Sequence, residues 1–165
     1  MSVIRIKSVV FLAFAFQMGA LALQDLALTR AALAITFPLL MFVAAANWRM
    51  WGMRVMLAGA ALNFAAIVAN GGLMPVDIAT VSRVDGPEAA RSFAGSGVPG
   101  SKSVVLPEDE IAFAALADRF VVGLPAIGAK AVSAGDLIIG TGLLMAVGQA
   151  VWVSKPWACE GSQDE

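Results

Sequence analysis

Two aspartates carry most of the chemical potential of this chain: Asp118, in Leu116-Ala117-Asp118-Arg119, and Asp136, in Ser133-Ala134-Gly135-Asp136. Two carboxylates brought within a few ångströms cannot both ionise, so one keeps its proton as an acid while the other activates water, and the pair titrates as a unit. Asp118 and Asp136 are therefore the candidate catalytic residues. The same residues also admit a plainer account. Ser133-x-x-Asp136 is a capping-box pattern, with the aspartate standing where glutamate is usual. Asp118 and Arg119 can form a local ion pair, although neighbours on a helix point apart and either can pair elsewhere. A third element, Asn70-Gly71-Gly72-Leu73-Met74-Pro75, reads as a helix-terminating turn, since glycine permits the left-handed conformation and proline blocks helical continuation. Its functional alternative is a groove lined by glycine backbone, with Asn70, Gly71, Gly72, Arg119 and Ser133 as candidate binding residues.

Other chemistry is excluded by what the chain lacks. There is no histidine, no tyrosine and a single cysteine, which removes Ser/His and Cys/His catalysis, histidine-ligated zinc or haem, and any intrachain disulfide. Cys159 lies in a polar tail and reads as an incidental thiol. No metal and no cofactor is expected. The 11 basic residues are scattered and the formal net charge is −1, so nothing supplies the electrostatic footprint of a nucleic-acid-binding protein.

These candidates must be positioned by segments of unusual polarity. Hydrophobic residues make up 59% of the chain and charged residues 14%, with a mean hydropathy of +0.82, against about 25% charged in ordinary soluble domains. Four uncharged stretches stand out, at 8–24, 31–48, 55–76 and 137–154. Each has about the length needed to cross a hydrocarbon core as a helix, the form that closes its backbone hydrogen bonds within one segment. The expectation is a single all-α membrane domain over 1–165: a four-helix bundle in the lipid bilayer, with an extracytoplasmic loop at 77–136 carrying one short amphipathic helix.

Arg5, Lys7, Arg49, Arg54 and Lys155 would share one side, which predicts both termini in the cytoplasm. Asp25 then falls at the outer end of the first span. Arg5, Lys7, the following apolar run and Ala20-Leu21-Ala22 also have the layout of a signal peptide. Gln17 and Met18-Gly19 interrupt that run, and apolar sequence continues past Ala22, which favours a retained span.

Within the loop, Gly86-Pro87, Gly95-Ser96-Gly97 and Pro99-Gly100 predict irregular chain from Asp77 to Pro107. Pro107-Glu108-Asp109-Glu110 reads as a helix start, running to Val122 and placing Ile111, Ala115, Asp118 and Val122 on an inward face. A second loop, Gly123 to Ala131, leads to the last span. Small-residue tracks Ala61/Ala65/Ala69 and Gly142/Ala146/Ala150 would let the third and fourth spans approach. Asn63, Gln17 and Gln149 would bond between helices, and the methionines read as packing.

The three polar elements, in this order and type, resemble an uncharacterised family of small bacterial membrane proteins, a domain of unknown function, over most of the chain. That resemblance implies a topology in the bacterial cytoplasmic membrane and no activity. A fainter resemblance, carried by Asp118-Arg119 and Asp136, is to signal peptidase II, a four-span aspartic peptidase, and implies a catalytic dyad. Ala114 and Ala115 stand where that family has Gly-Asn, Val132-Ser133-Ala134-Gly135 stands where it has Phe-Asn-x-Ala, and the large loop follows the third span rather than the first. Three functions follow as expectations. The one asking least of the residues is a non-enzymatic protein assembling with a membrane-protein partner or with itself; the others are an aspartic peptidase-like enzyme and a small transporter subunit.

Overall fold

The computed structural model describes residues 7–98, 100–124 and 128–153. Arg5, Lys155, Pro99, Pro125, Ser154 and Cys159, on which some of the expectations rest, lie outside the described residues. The chain is mostly helical, as its composition demands. The apolar helices are α1 (Lys7–Ala22), α2 (Leu26–Ala46), α3 (Trp51–Ala69) and α6 (Ala134–Val153). Three helical stretches, Leu26–Ala46, Trp51–Ala69 and Ala134–Trp152, are long and apolar enough to cross a membrane, whereas α1 is a shorter apolar helix.

The helix limits follow local chemistry rather than the edges of the uncharged runs. Helix α2 begins five residues earlier than Ala31 because Asp25 caps it, its carboxylate accepting from the amides of Ala27 at 2.8 Å and Leu28 at 3.0 Å. Helix α3 stops at Ala69 rather than Val76, because Asn70 is its C-cap and the left-handed Gly71 and Gly72, φ 75° and 86°, turn the chain away. The Gly72 amide reaches back to the Ile67 carbonyl at 2.8 Å. The apolar residues beyond, Leu73, Met74 and Val76, are buried in the cap that follows.

Helix α1 lies along α2, α2 along α3, and α3 along α6, while α1 and α6 make no comparable contact among the described residues. The order of packing is thus a row. Small residues control its tightest contact. Gly52 meets Gly142 and Ala146, and Gly59 meets Gly135 and Ile139, so α3 and α6 run antiparallel, backbone against backbone. The face used on α3 includes Gly52, Gly59 and Asn63; Ala65 and Ala69 of the expected track are exposed. On α6 the expected Gly142 and Ala146 are buried at the contact.

The region between α3 and α6 is where expectation and structure differ most. It is not irregular but folded: β1 (Met74–Asp77), α4 (Ile78–Val84), α5 (Pro87–Ser92), β2 (Ser103–Leu106), β3 (Phe120–Leu124) and β4 (Gly128–Val132). Strands β1 and β2 pair in parallel, Met74 opposite Ser103 and Asp77 opposite Leu106. Val76, Val81, Ala90 and Val105 form a small core beneath α4 and α5. The helix expected from Pro107 to Val122 is replaced by two single 3-10 turns, Glu108–Glu110 and Ala114–Leu116, with Phe113 between them in the left-handed region at φ 57°. Phe120-Val121-Val122, aromatic and β-branched, suits a strand, and it pairs antiparallel with β4 where a loop was expected. The all-α expectation is therefore amended by four short strands in two sheets among the described residues.

Candidate functional site

The site forms where the cap meets the first turn of α6. Ser133 caps that helix: its hydroxyl accepts from the Asp136 amide at 3.0 Å, and its own amide donates to Asp136 Oδ2 at 3.2 Å, the reciprocal arrangement of a capping box. Asn63 of α3 locks the pair from below. Its Nδ2 donates to Asp136 Oδ1 at 2.7 Å and its Oδ1 accepts from the Ser133 hydroxyl at 2.8 Å. The expected interhelical role of Asn63 is thus present, and Gln149 plays the same part at the far end, accepting from the Gly52 amide at 3.2 Å.

Asp118 arrives from the cap by a different route from the one its spacing predicts. No helix turns it inward. Extended chain beyond the second 3-10 turn does so, with the Asp118 amide bonded to the Pro75 carbonyl at 2.9 Å. Its side chain is 2% exposed. Lys102, immediately before β2, extends between the two carboxylates, 3.1 Å from Asp136 Oδ2 and 3.9 Å from Asp118 Oδ2. Asp118 Oδ1 is buried and has no hydrogen-bond partner among the described residues.

The structure therefore brings Asp118, Asp136 and Ser133 together, and adds Lys102 and Asn63 to them. It places the remaining candidates elsewhere. Arg119 turns outward to Glu108 at 3.6 Å, so Asp118-Arg119 is not an ion pair. Asn70 holds the cap rather than lining a groove, since its amide donates to the carbonyls of Ala66 at 2.8 Å and Ala112 at 2.9 Å and accepts from the Ala112 amide at 3.0 Å. Beside it, Gly72 approaches the aliphatic stem of Arg30. Sequence reasoning missed Lys102 because a lone lysine between serines, in a glycine-rich stretch, has the appearance of a solvated loop residue. The available signal was the Val104-Val105 run that follows it, which marks a buried strand about to begin.

Electrostatically the group is a cation shared by two anions of unequal surroundings. Burial pushes the Asp118 carboxyl up to about 6, against the opposing pull of Lys102 and with a further push from Asp136. With its folded-state pKa above the unfolded value of 3.8, ionisation of Asp118 opposes folding: its contribution is fully present below pH 3.8 and is lost as pH rises through 6. Between about pH 7 and about pH 5 this group alone adds roughly 1 to 2 kcal/mol. Asp118→Asn is expected to remove that portion of the pH dependence, as read by unfolding of both proteins in detergent across the interval. Parallel curves would refute the assignment.

Chemically, the two carboxylates are held in different ways. Asp136 accepts three hydrogen bonds, from Asn63, Ser133 and Lys102, and Asp118 is shut away from solvent. Two cavities lie in the cap, one of about 400 Å³ lined by residues that include Val81, Phe93, Ser103 and Lys130, the other of about 480 Å³ beside Asp77 and Arg91; neither aspartate lines either of them.

No curated protein and no solved structure matches the chain. A family model described as a family of unknown function, DUF5317, matches residues 2–148, a span that contains every member of the Asn63–Lys102–Asp118–Ser133–Asp136 network. On that match the chain belongs to the DUF5317 family of unknown function.

Proposed function

We propose that this is a non-enzymatic, four-span protein of the bacterial cytoplasmic membrane, both termini inside, which presents its folded outer cap for assembly with a membrane-protein partner or another copy of itself. The observation that carries the reading is the burial of Asp118 beside an Asp136 held by bonds within the protein. A dyad that activates water needs both carboxylates within reach of it. Asp136, though 29% exposed, accepts three hydrogen bonds within the protein, and Asp118 is 2% exposed. What the network does instead is fix the cap to α3 and α6.

Counting α1 as the fourth span is supported by its outward surface. Phe11, Leu12 and Phe14 are 73%, 64% and 60% exposed, a surface suited to lipid, and Ala13 and Ala20 are buried on the helix that lies along α2.

A pair of substitutions separates this reading from the peptidase-like one. Asp136→Asn weakens the charged contact to Lys102 and disturbs the cap of a span, a loss of about 1.5 to 3 kcal/mol, and membrane abundance is expected to fall markedly. Asp118→Asn removes a carboxyl whose ionised form opposes folding, so abundance should stay near wild type. In a dyad both variants would remain abundant and be equally inactive. Assembly itself is read by photo-crosslinking from the exposed cap positions Glu88 and Arg91 in membranes. A discrete adduct is expected, and a strictly monomeric product from both positions counts against the proposal.

A further inference from the structure

At the end of the helices opposite the cap, the turn between α2 and α3 carries Trp48, Arg49, Trp51 and Arg54. Arg54 is positioned by three contacts. Its Nε donates to the Trp48 carbonyl at 2.7 Å, and its guanidinium carbon lies 4.8 Å from the Trp48 ring centre and 4.3 Å from that of Trp51. Both indoles are nevertheless open, 57% and 61% exposed. The terminal guanidinium nitrogens of Arg54 have no ion pair among the described residues, and the stretch from Leu26 to Ala69 contains no acidic residue. The turn itself is fixed to α6, because the Gly52 amide donates to Gln149.

We infer that this turn is a binding site for the phosphate of an anionic phospholipid, held by the free end of the Arg54 guanidinium with Arg49 beside it. The level of the turn suits this ligand: α2 and α3 are long enough to span the hydrocarbon, which puts their shared end at headgroup depth, where indoles settle. The chemistry suits it too. A guanidinium whose Nε is already occupied still presents a planar pair of donors, the geometry that matches phosphate oxygens, and stacking on aromatic faces costs it none of that capacity. Pre-positioning by two rings and a carbonyl also removes most of the side-chain disorder that a surface arginine would have to lose on binding.

The test uses the full chain carrying Trp152→Phe and Trp157→Phe, so that fluorescence reports Trp48 and Trp51, in bilayers of phosphatidylcholine containing a minor fraction of brominated lipid. Brominated phosphatidylglycerol is expected to quench as though enriched about fivefold at the site over brominated phosphatidylcholine, the worth of one basic residue at an anionic surface. Arg54→Gln should abolish the preference while quenching by brominated phosphatidylcholine stays unchanged, which shows the indoles still in place. Arg54→Lys, which keeps the charge without the fork, should lose more than half of it. Equal quenching by the two lipids in the parent chain, full preference in Arg54→Lys, or displacement by millimolar inorganic phosphate would overturn the inference.

Discussion

Lys102→Met is expected to cost about 2 to 4 kcal/mol of stability, the range for unpairing a buried charge reduced because Lys102 is itself partly open to solvent. With the cation gone, Asp118 is a carboxyl 2% exposed that faces Asp136 without a positive charge between them. Its pKa then climbs further above 6 and it takes up a proton at neutral pH, which limits the penalty but does not cancel it. Asp136 keeps its bonds from Asn63 and Ser133 and loses only its ionic partner. The cost therefore arises mainly at Asp118, and adding Asp118→Asn to Lys102→Met should restore at least half of it. Unfolding of the four proteins of this cycle in mild detergent at pH 7 gives the coupling, expected at 1 to 3 kcal/mol for groups in one charged network. Additive losses, or a Lys102→Met protein as stable as its parent, would mean that the lysine is a bystander.

The same network shows what a sequence can disclose. Asp136 was legible as a cap because a capping box is a local pattern, complete within four residues. Asn63 was legible because an amide inside an apolar helix has few places to go except another helix. The spacing of Asp118 points to the interior, where it lies, but through a helix that does not form. Its burial comes from an amide bonded to Pro75, a residue more than forty positions away whose proximity no periodicity expresses. Lys102 belongs to the same class: it meets the aspartates because β2 pairs in parallel with β1, and parallel pairing is a long-range fact. The three helices long and apolar enough to cross a membrane, by contrast, follow from composition, and their existence was legible though their ends were not. The largest shifts fall at Asp25 and Asn70, where a capping side chain decides the boundary, with smaller ones at the start of α3, Trp51 rather than Val55, and of α6, Ala134 rather than Leu137.

The contact between α3 and α6 supplies the other large effect. A Cβ at Gly59 would lie 2.7 Å from the Gly135 carbonyl oxygen, and one at Gly142 would lie 2.7 Å from the Gly52 carbonyl oxygen. Backbone cannot withdraw as a side-chain tip can, so Gly59→Ala or Gly142→Ala must push the helices apart along their whole seam. In hydrocarbon there is little solvent-driven force to close that gap again, because close packing is itself the source of attraction. A loss of about 2 to 4 kcal/mol is expected for each, comparable with the strain and lost packing of an overfilled core, and the disturbance reaches Asn63 and Asp136 one turn above Gly59. The internal comparison lies on the same helix: a Cβ at Gly140 or Gly148 meets nothing within 4 Å among the described residues. Gly140→Ala and Gly148→Ala should thus be neutral or stabilising by up to about 1 kcal/mol through backbone propensity. Heat-induced unfolding of the four single variants in the same detergent distinguishes them, and if Gly142→Ala proved as stable as Gly148→Ala the two helices would not be held backbone to backbone. Because the charged network sits at the top of this seam, widening it should also detach the cap, with Asp118 becoming accessible to solvent and its carboxyl returning toward 3.8. Losing the pH dependence specific to Asp118 in Gly59→Ala, at a residue with no titratable group, would then show that helix packing and the carboxylate site are one structural unit.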